Sequence, residues 1–118
     1  MLLYVKKPHW DLAAAKALCV TRDGLALSKT RAVAFFPSLA EAYACARSTV
    51  AGLSAASFVE TLHQNPDVRD VYAVKNGGKG WYVKFTILSG PGNDKVFMLS
   101  LHPLEREIRL ANGKKVVP

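Results

Sequence analysis

The sequence predicts an α+β domain in which N-terminal helices pack on a C-terminal antiparallel β-sheet, and three observations predict it. The chain has 118 residues, the size of one ordinary domain, and 50% of them are hydrophobic, which argues against disorder. Its first half carries helix caps and apolar residues at helical spacing, whereas from Val68 onward the hydrophobic period changes to two. No internal repeat or linker divides the chain, so we expect a single domain over residues 1–118.

Three segments of the first half follow a Ser or Asp that can accept hydrogen bonds from the first backbone N–H groups of a helix. They predict helices over residues 12–20 after Asp11, 39–51 after Ser38 and 55–63 after Ser54. Glu41 completes a capping box for the second of these helices, and Gly52 ends it. Between the first two helices we expect a short piece over residues 25–28, extended or helical, and then a turn of helix from Thr30 to Phe36.

The second half predicts a meander of strands joined by turns rich in Gly, Asn and Ser. The main strands are expected over residues 68–75, 81–88 and 95–101, with turns over residues 76–80 and 89–93. A shorter pair of strands, over residues 105–110 and 114–117, predicts an extra C-terminal hairpin at about residues 103–118.

The charge of the chain indicates the chemistry of its partners. Lys and Arg outnumber Asp and Glu by 16 to 9, a net charge of +7, which favours a polyanionic or acidic partner, with plain solubility as the alternative. No apolar run is long enough to span a bilayer, so no membrane partner is expected. Residues 1–7 place their charges after the apolar patch, the reverse of a secretory signal, which predicts a cytoplasmic protein.

The cysteines and histidines predict neither a metal site nor a disulfide framework. Cys19 and Cys45 stand alone in apolar contexts, and the three histidines are scattered along the chain. We therefore expect no metal and no cofactor, and two thiols that act as small hydrophobic side chains.

The strand over residues 81–88 divides its side chains between the two faces of the sheet. The apolar set, expected to face the helices, is Trp81, Val83, Phe85 and Ile87, and the polar set, expected to face outward, is Tyr82, Lys84 and Thr86. The plain interpretation of the polar set is a solvated face of an antiparallel sheet. Neighbouring strands and loops carry further polar residues, some of which should gather beside this set: Arg69, Lys75, Lys79 and His102.

Such a cluster is chemically suited to RNA, because phosphates bind cations and unpaired bases stack on aromatic rings. Cleavage of RNA without a metal requires one group that takes the proton of the 2′-hydroxyl and another that protonates the leaving 5′-oxygen. His102 can serve as acid or base near neutral pH, and Arg69 or Lys84 can bind the phosphate. Tyr82 can stack on a base or donate its phenol proton. On composition alone, a basic surface is the simpler interpretation.

Three motifs occur in order along the chain: Pro8-His9 leading into the first helix, Gly52-Leu53-Ser54 followed by Phe58, and Asp70-Val71-Tyr72 followed by Tyr82-Val83-Lys84-Phe85-Thr86. Over residues 6–102 their order and spacing resemble the MqsR-type toxins of bacterial toxin–antitoxin systems, a branch related to the RelE-like mRNA interferases. The tail from Pro103 to Pro118 is not part of that pattern.

The resemblance implies a RelE-like fold and a metal-independent endoribonuclease that cleaves mRNA, inhibits growth and is neutralised by a cognate antitoxin protein. It places Tyr82 on the family's active-site tyrosine, and Arg69 where the family has a Gln. His102 falls on one family lysine, which still permits proton transfer. Glu60 falls on another, a reversal of charge that repels phosphate unless the carboxylate acts as the general base.

The first hypothesis is therefore a toxin that cleaves single-stranded mRNA, with Tyr82, His102, Arg69 and Glu60 as catalytic candidates. Its RNA-binding candidates are Lys84, Lys75 and Lys79. The second hypothesis is a non-catalytic module on the same fold that binds RNA or an antitoxin. A third is that the basic face mainly docks an acidic antitoxin. Two of the candidate residues also have a purely structural interpretation. Glu60 can be a solvated side chain, and His102 can simply end a strand.

Overall fold

The computed structural model describes residues 7–63, 67–91 and 93–118. The undescribed residues include the whole of the expected N-terminal apolar patch (residues 1–5) and one residue of the turn predicted over residues 89–93. The α-helices are α1 (Leu12–Cys19) and α2 (Leu39–Ala51), and 3-10 turns occur at Val33–Phe35 and Ala55–Ser57. The strands are β1 (Leu25–Leu27), β2 (Phe58–His63), β3 (Val68–Asn76), β4 (Lys79–Gly90), β5 (Asn93–Pro103), β6 (Ile108–Arg109) and β7 (Lys115–Val116). None of the helices in these ranges is long and apolar enough to cross a membrane.

Two of the three helices predicted from a local cap are confirmed. The Asp11 side chain accepts a hydrogen bond from the Ala13 backbone N–H at 3.1 Å, and α1 begins at Leu12, directly after Asp11. The Ser38 hydroxyl accepts from the Glu41 N–H at 3.1 Å, and α2 runs to Ala51 as predicted. These caps fix the helix starts because they satisfy N–H groups that have no partner within the helix.

The third predicted helix, over residues 55–63, is wrong. Only the 3-10 turn Ala55–Ser57 is helical, and β2 then pairs antiparallel with β3 from Phe58 to His63. The spacing of Phe58, Val59 and Leu62 fits a helix, but β-branched and aromatic residues also favour a strand, and pairing with β3 decides between the two. Likewise, the turn expected from Thr30 forms only as Val33–Phe35, without a side-chain cap.

The five-stranded sheet has the order β1-β5-β4-β3-β2 and is mixed rather than wholly antiparallel as predicted. The antiparallel pairs are β2–β3, β3–β4 and β4–β5, whereas β1 lies parallel to β5 at the edge. A parallel pair of strands requires a long connection, and the chain between β1 and β5 supplies one because it includes α2 and three other strands. Strands β6 and β7 form a separate antiparallel pair.

The helices cover one face of the sheet and enclose the main hydrophobic core there. Tyr72 is fully buried, and its ring stacks on Phe85 with centroids 5.8 Å apart. Cys19 of α1 is also buried in this core, and burial raises the pKa of its thiol to about 11. The expectation that Cys19 acts as a small hydrophobic side chain is thus confirmed.

The opposite face of the sheet, here called the outer face, carries Val71 and Ala73 of β3 and Tyr82 and Lys84 of β4. A second, smaller apolar cluster lies on it, where the C-terminal segment packs Leu110 against the two β3 residues. The outer face is therefore covered at one end by the C-terminal hairpin and open elsewhere.

Candidate functional site

Two β-bulges determine which side chains reach the outer face. In β5, Met98 pairs with Phe85 but Ser100 pairs with Lys84, so Leu99 is an extra residue without an opposite partner. The bulge reverses the alternation that follows it, which turns Leu101 into the core and His102 onto the outer face. Val59 makes a similar bulge in β2, after which Glu60 pairs with Val71 and lies on the outer face as well.

The bulge in β5 brings His102 directly opposite Tyr82 on β4. The two rings are stacked, with centroids 5.0 Å apart and planes 11° from parallel. Both side chains are half-buried, so one surface of the pair is accessible. The predicted meeting of a phenol and an imidazole from neighbouring strands is thus present in the structure.

The hydrogen bond of His102 sets the tautomer of its ring. Its Nδ1 lies 3.0 Å from the backbone carbonyl oxygen of Pro103. A carbonyl oxygen only accepts, so Nδ1 must carry the proton in this contact. In the neutral ring, Nε2 is then the nitrogen with a lone pair that can accept a proton.

Three cations, Lys84, Arg69 and Arg31, lie near one another beside this pair, with Lys84 between the pair and Arg69. Lys84 lies two residue pairs along β4 and β5, on the same face, and its pKa is lowered by burial and by the positive charges of Arg69 and Arg31. Arg69 is half-buried, and its Nη2 lies 3.7 Å from an Asp67 carboxylate oxygen. Its buried Nε has no hydrogen-bond partner among the described residues. The positive charges of Arg69 and Arg31 act on Lys84, and an anion bound beside Lys84 would offset this repulsion.

Glu60 is the one carboxylate that β2 contributes to this face, and it lies on a strand rather than on the helix that the sequence predicted. Burial, and secondarily the negative charge of Glu60, raise the pKa of Tyr82 above its usual value. The phenol is therefore protonated at neutral pH and can donate a proton or a hydrogen bond.

Two hollows open on either side of His102. One, of about 310 Å³, is lined by Tyr82 and by the C-terminal segment from Leu104 to Ile108. The other, of about 550 Å³, is lined by Arg31, Phe35 and the segment from His102 to Glu105. Each volume accommodates a small planar group together with water, and His102, Leu104 and Glu105 line both hollows.

Lys75 and Lys79 lie away from the cluster. Lys75 is on the outer face beyond Ala73, and its Nζ donates to the carbonyl oxygen of Pro118 at 3.3 Å. The Nζ of Lys79 lies 5.9 Å from the ring centroid of Trp81, whose side chain packs against the main core. The structure thus gathers Tyr82, His102, Lys84, Arg69 and Glu60, and leaves both of these lysines outside.

Arg31 and Phe35 belong to the site, although the sequence did not indicate them. The backbone carbonyl of Arg31 accepts from the Leu101 N–H at 3.0 Å, which fixes this segment beside the end of β5. The Phe35 ring lies 5.3 Å from the ring of His102. Their position depends on the parallel pairing of β1 with β5, for which no local sequence signal exists.

Within the described ranges, no three His, Cys, Asp or Glu side chains come close enough to hold a metal ion together. No protein-family model matches the chain, and no curated protein matches it either.

Proposed function

We propose that this chain is a cytoplasmic toxin of a toxin–antitoxin pair, with a RelE-like fold, that cleaves single-stranded mRNA without a metal. The observation that carries the proposal is the stacked pair of Tyr82 and His102, which share an accessible face with cationic side chains. The motifs that resemble the MqsR-type toxins support the same class of activity, since Tyr82 falls on the active-site tyrosine of that family.

In the proposed reaction, the cations first bind the scissile phosphate. Lys84, Arg69 and Arg31 supply the positive charge that stabilises the additional negative charge on the phosphorus oxygens. The guanidinium groups of the arginines can bind a phosphate through two parallel hydrogen bonds.

Proton transfer then falls to the stacked pair. Nε2 of His102 takes the proton of the ribose 2′-hydroxyl, and the 2′-oxygen attacks the adjacent phosphorus. The bond from phosphorus to the 5′-oxygen of the next nucleotide breaks, and the protonated phenol of Tyr82 donates its proton to that oxygen. The products are a 2′,3′-cyclic phosphate and a 5′-hydroxyl, and His102 then returns a proton to the tyrosinate.

The test is cleavage of an end-labelled single-stranded RNA by the purified protein in the presence of a chelator. We expect a 2′,3′-cyclic phosphate product, a loss of about 10²–10⁴ in rate for His102→Ala, and a loss for Tyr82→Phe. His63→Ala is the matched control, because His63 is an exposed histidine at the end of β2. Absence of product with the wild-type protein, or equal rates for His102→Ala and His63→Ala, would refute the proposal.

The charge of Glu60 favours a second candidate function, that of a non-catalytic RNA-binding module. Its carboxylate acts on Tyr82 within the same face and opposes the approach of a phosphate. Such a module would bind RNA with an affinity that falls steeply with salt, and no product would form at any pH. Product formation by the wild-type protein separates the two candidates, whereas Glu60→Gln should strengthen RNA binding in both because it removes a negative charge from this face.

The proposal also includes a cognate antitoxin as protein partner. An acidic partner is favoured by the charge of +7. Co-expression with the protein encoded beside this gene should give a complex that no longer cleaves RNA. An antitoxin that binds without lowering cleavage would place its docking surface away from the outer face.

A further inference from the structure

The exposed ring of Phe35 is the feature of the larger hollow that remains unexplained. Phe35 is 54% exposed, although an aromatic side chain gains stability from burial. The next residue, Phe36, is instead packed inward and stacks on Trp81 with ring centroids 5.8 Å apart. Two adjacent aromatic residues are thus divided between a packing role and an exposed position.

The backbone at Phe35 is held in place by the turn. Its N–H donates to the carbonyl oxygen of Ala32 at 3.3 Å, and the N–H of Phe36 donates to that of Val33 at 3.0 Å. Ala32 is fully buried, so the turn cannot shift without disturbing the core. A phenylalanine ring on an anchored backbone has only two side-chain torsions left to order, so it binds a planar ligand at a small cost in conformational entropy.

The surroundings of the ring indicate what the ligand is. Phe35 lies 5.3 Å from His102, on the side of β5 opposite to Tyr82. Arg31 is the one cation and Glu105 the one carboxylate among the residues that line this hollow, so an anionic group would bind there at Arg31. A planar group with an anionic group beside it therefore fits this place, and an unpaired nucleotide has both.

We propose that Phe35 is a stacking platform for an unpaired nucleobase and that Arg31 binds the phosphate beside that base. This inference rests on the proposed function. The RNA strand crosses His102, with one base on Phe35 and a neighbouring base in the hollow of Tyr82. Two bases splayed across His102 leave the phosphate that joins them exposed to the imidazole and to a 2′-hydroxyl approaching in line with the leaving oxygen.

The test measures binding separately from cleavage. The probe is a short single-stranded 2′-O-methyl RNA, which lacks the attacking hydroxyl and cannot be cleaved, and affinity is measured by fluorescence anisotropy. We expect Phe35→Ala to weaken binding about tenfold and Phe35→Trp to restore it. Leu88→Ala is the matched control, because Leu88 is an exposed apolar residue at the other end of β4.

An abasic nucleotide moved through the probe locates the base. At one position it should lower the affinity of the wild-type protein to that of Phe35→Ala, with no further loss in the variant. Cleavage by the wild type with no effect of Phe35→Ala on affinity would overturn this inference and leave the proposed activity intact. Binding that depends on Phe35 without any cleavage would support the inference and refute the catalysis. A wild-type protein that neither binds nor cleaves RNA would refute both.

Discussion

Asp70 carries a strong test of how this fold is held together. Its side chain is fully buried on β3, and its carboxylate accepts three hydrogen bonds. The donors are the backbone N–H of His9 at 3.0 Å, the backbone N–H of Trp10 at 2.8 Å and the Thr61 hydroxyl at 2.6 Å. One side chain therefore joins the entry of α1 to β2 and β3, and we expect Asp70→Ala to be severely destabilising.

The magnitude follows from the three donors that would lose their acceptor. A buried donor without a partner costs about 1–3 kcal/mol, and the two backbone groups are partly buried and gain some hydration. The expected loss in the free energy of unfolding is about 3–5 kcal/mol, a large part of the roughly 5–15 kcal/mol that holds a domain folded. For a chain of this size the melting temperature should fall by roughly 10–25 °C.

Urea unfolding followed by circular dichroism measures this loss. Thr61→Val removes only one donor and should cost about 1 kcal/mol, and the same change should cost nothing more in the Asp70→Ala background, because its partner is already gone. Asp94→Ala, at an exposed carboxylate near the start of β5, is the control. A loss below about 1 kcal/mol for Asp70→Ala would show that the three hydrogen bonds do not hold the chain as argued.

Two further predictions concern the outer face. Lys84→Met should raise the melting temperature and weaken RNA binding, because Lys84 is a half-buried cation whose pKa is lowered by burial and by Arg69. Because its pKa is lower in the folded chain, Lys84 binds more protons in the unfolded chain as the pH approaches the ordinary lysine pKa of about 10.4. The wild type should therefore gain stability relative to Lys84→Met as the pH rises toward that value. A stability difference between the two proteins that does not change with pH would contradict this. Leu110→Ala should lower the free energy of unfolding by about 2–3 kcal/mol in urea titrations, because it leaves a cavity in the small apolar cluster. The control Val117→Ala, at an exposed position, should change it by no more than about 0.5 kcal/mol. Equal effects of the two variants would contradict a packed hairpin.

The parts of the fold that the sequence predicted are those decided by local contacts. Both caps act within three residues of Asp11 and Ser38, so the chain needs no distant partner to define α1 and α2. The segment at Phe58 carries two compatible patterns, and a partner strand far along the chain decides between them. For the site, the sequence indicated Tyr82, Lys84 and His102, but it could not indicate Arg31, whose place depends on how β1 joins the sheet.

The bulge at Leu99 explains why the strand sequence alone was insufficient for His102. An uninterrupted alternation through β5 would keep His102 on the same face as Val96 and Met98, which are both buried in the main core. One extra residue reverses that order, and it also turns Leu101, a good core residue, inward. The apolar core therefore favours the same bulge that exposes the imidazole beside Tyr82. Placement of the candidate site is thus a consequence of packing on the opposite face: Met98 and Leu101 are three residues apart, and they can both face the core only because Leu99 has no partner on β4.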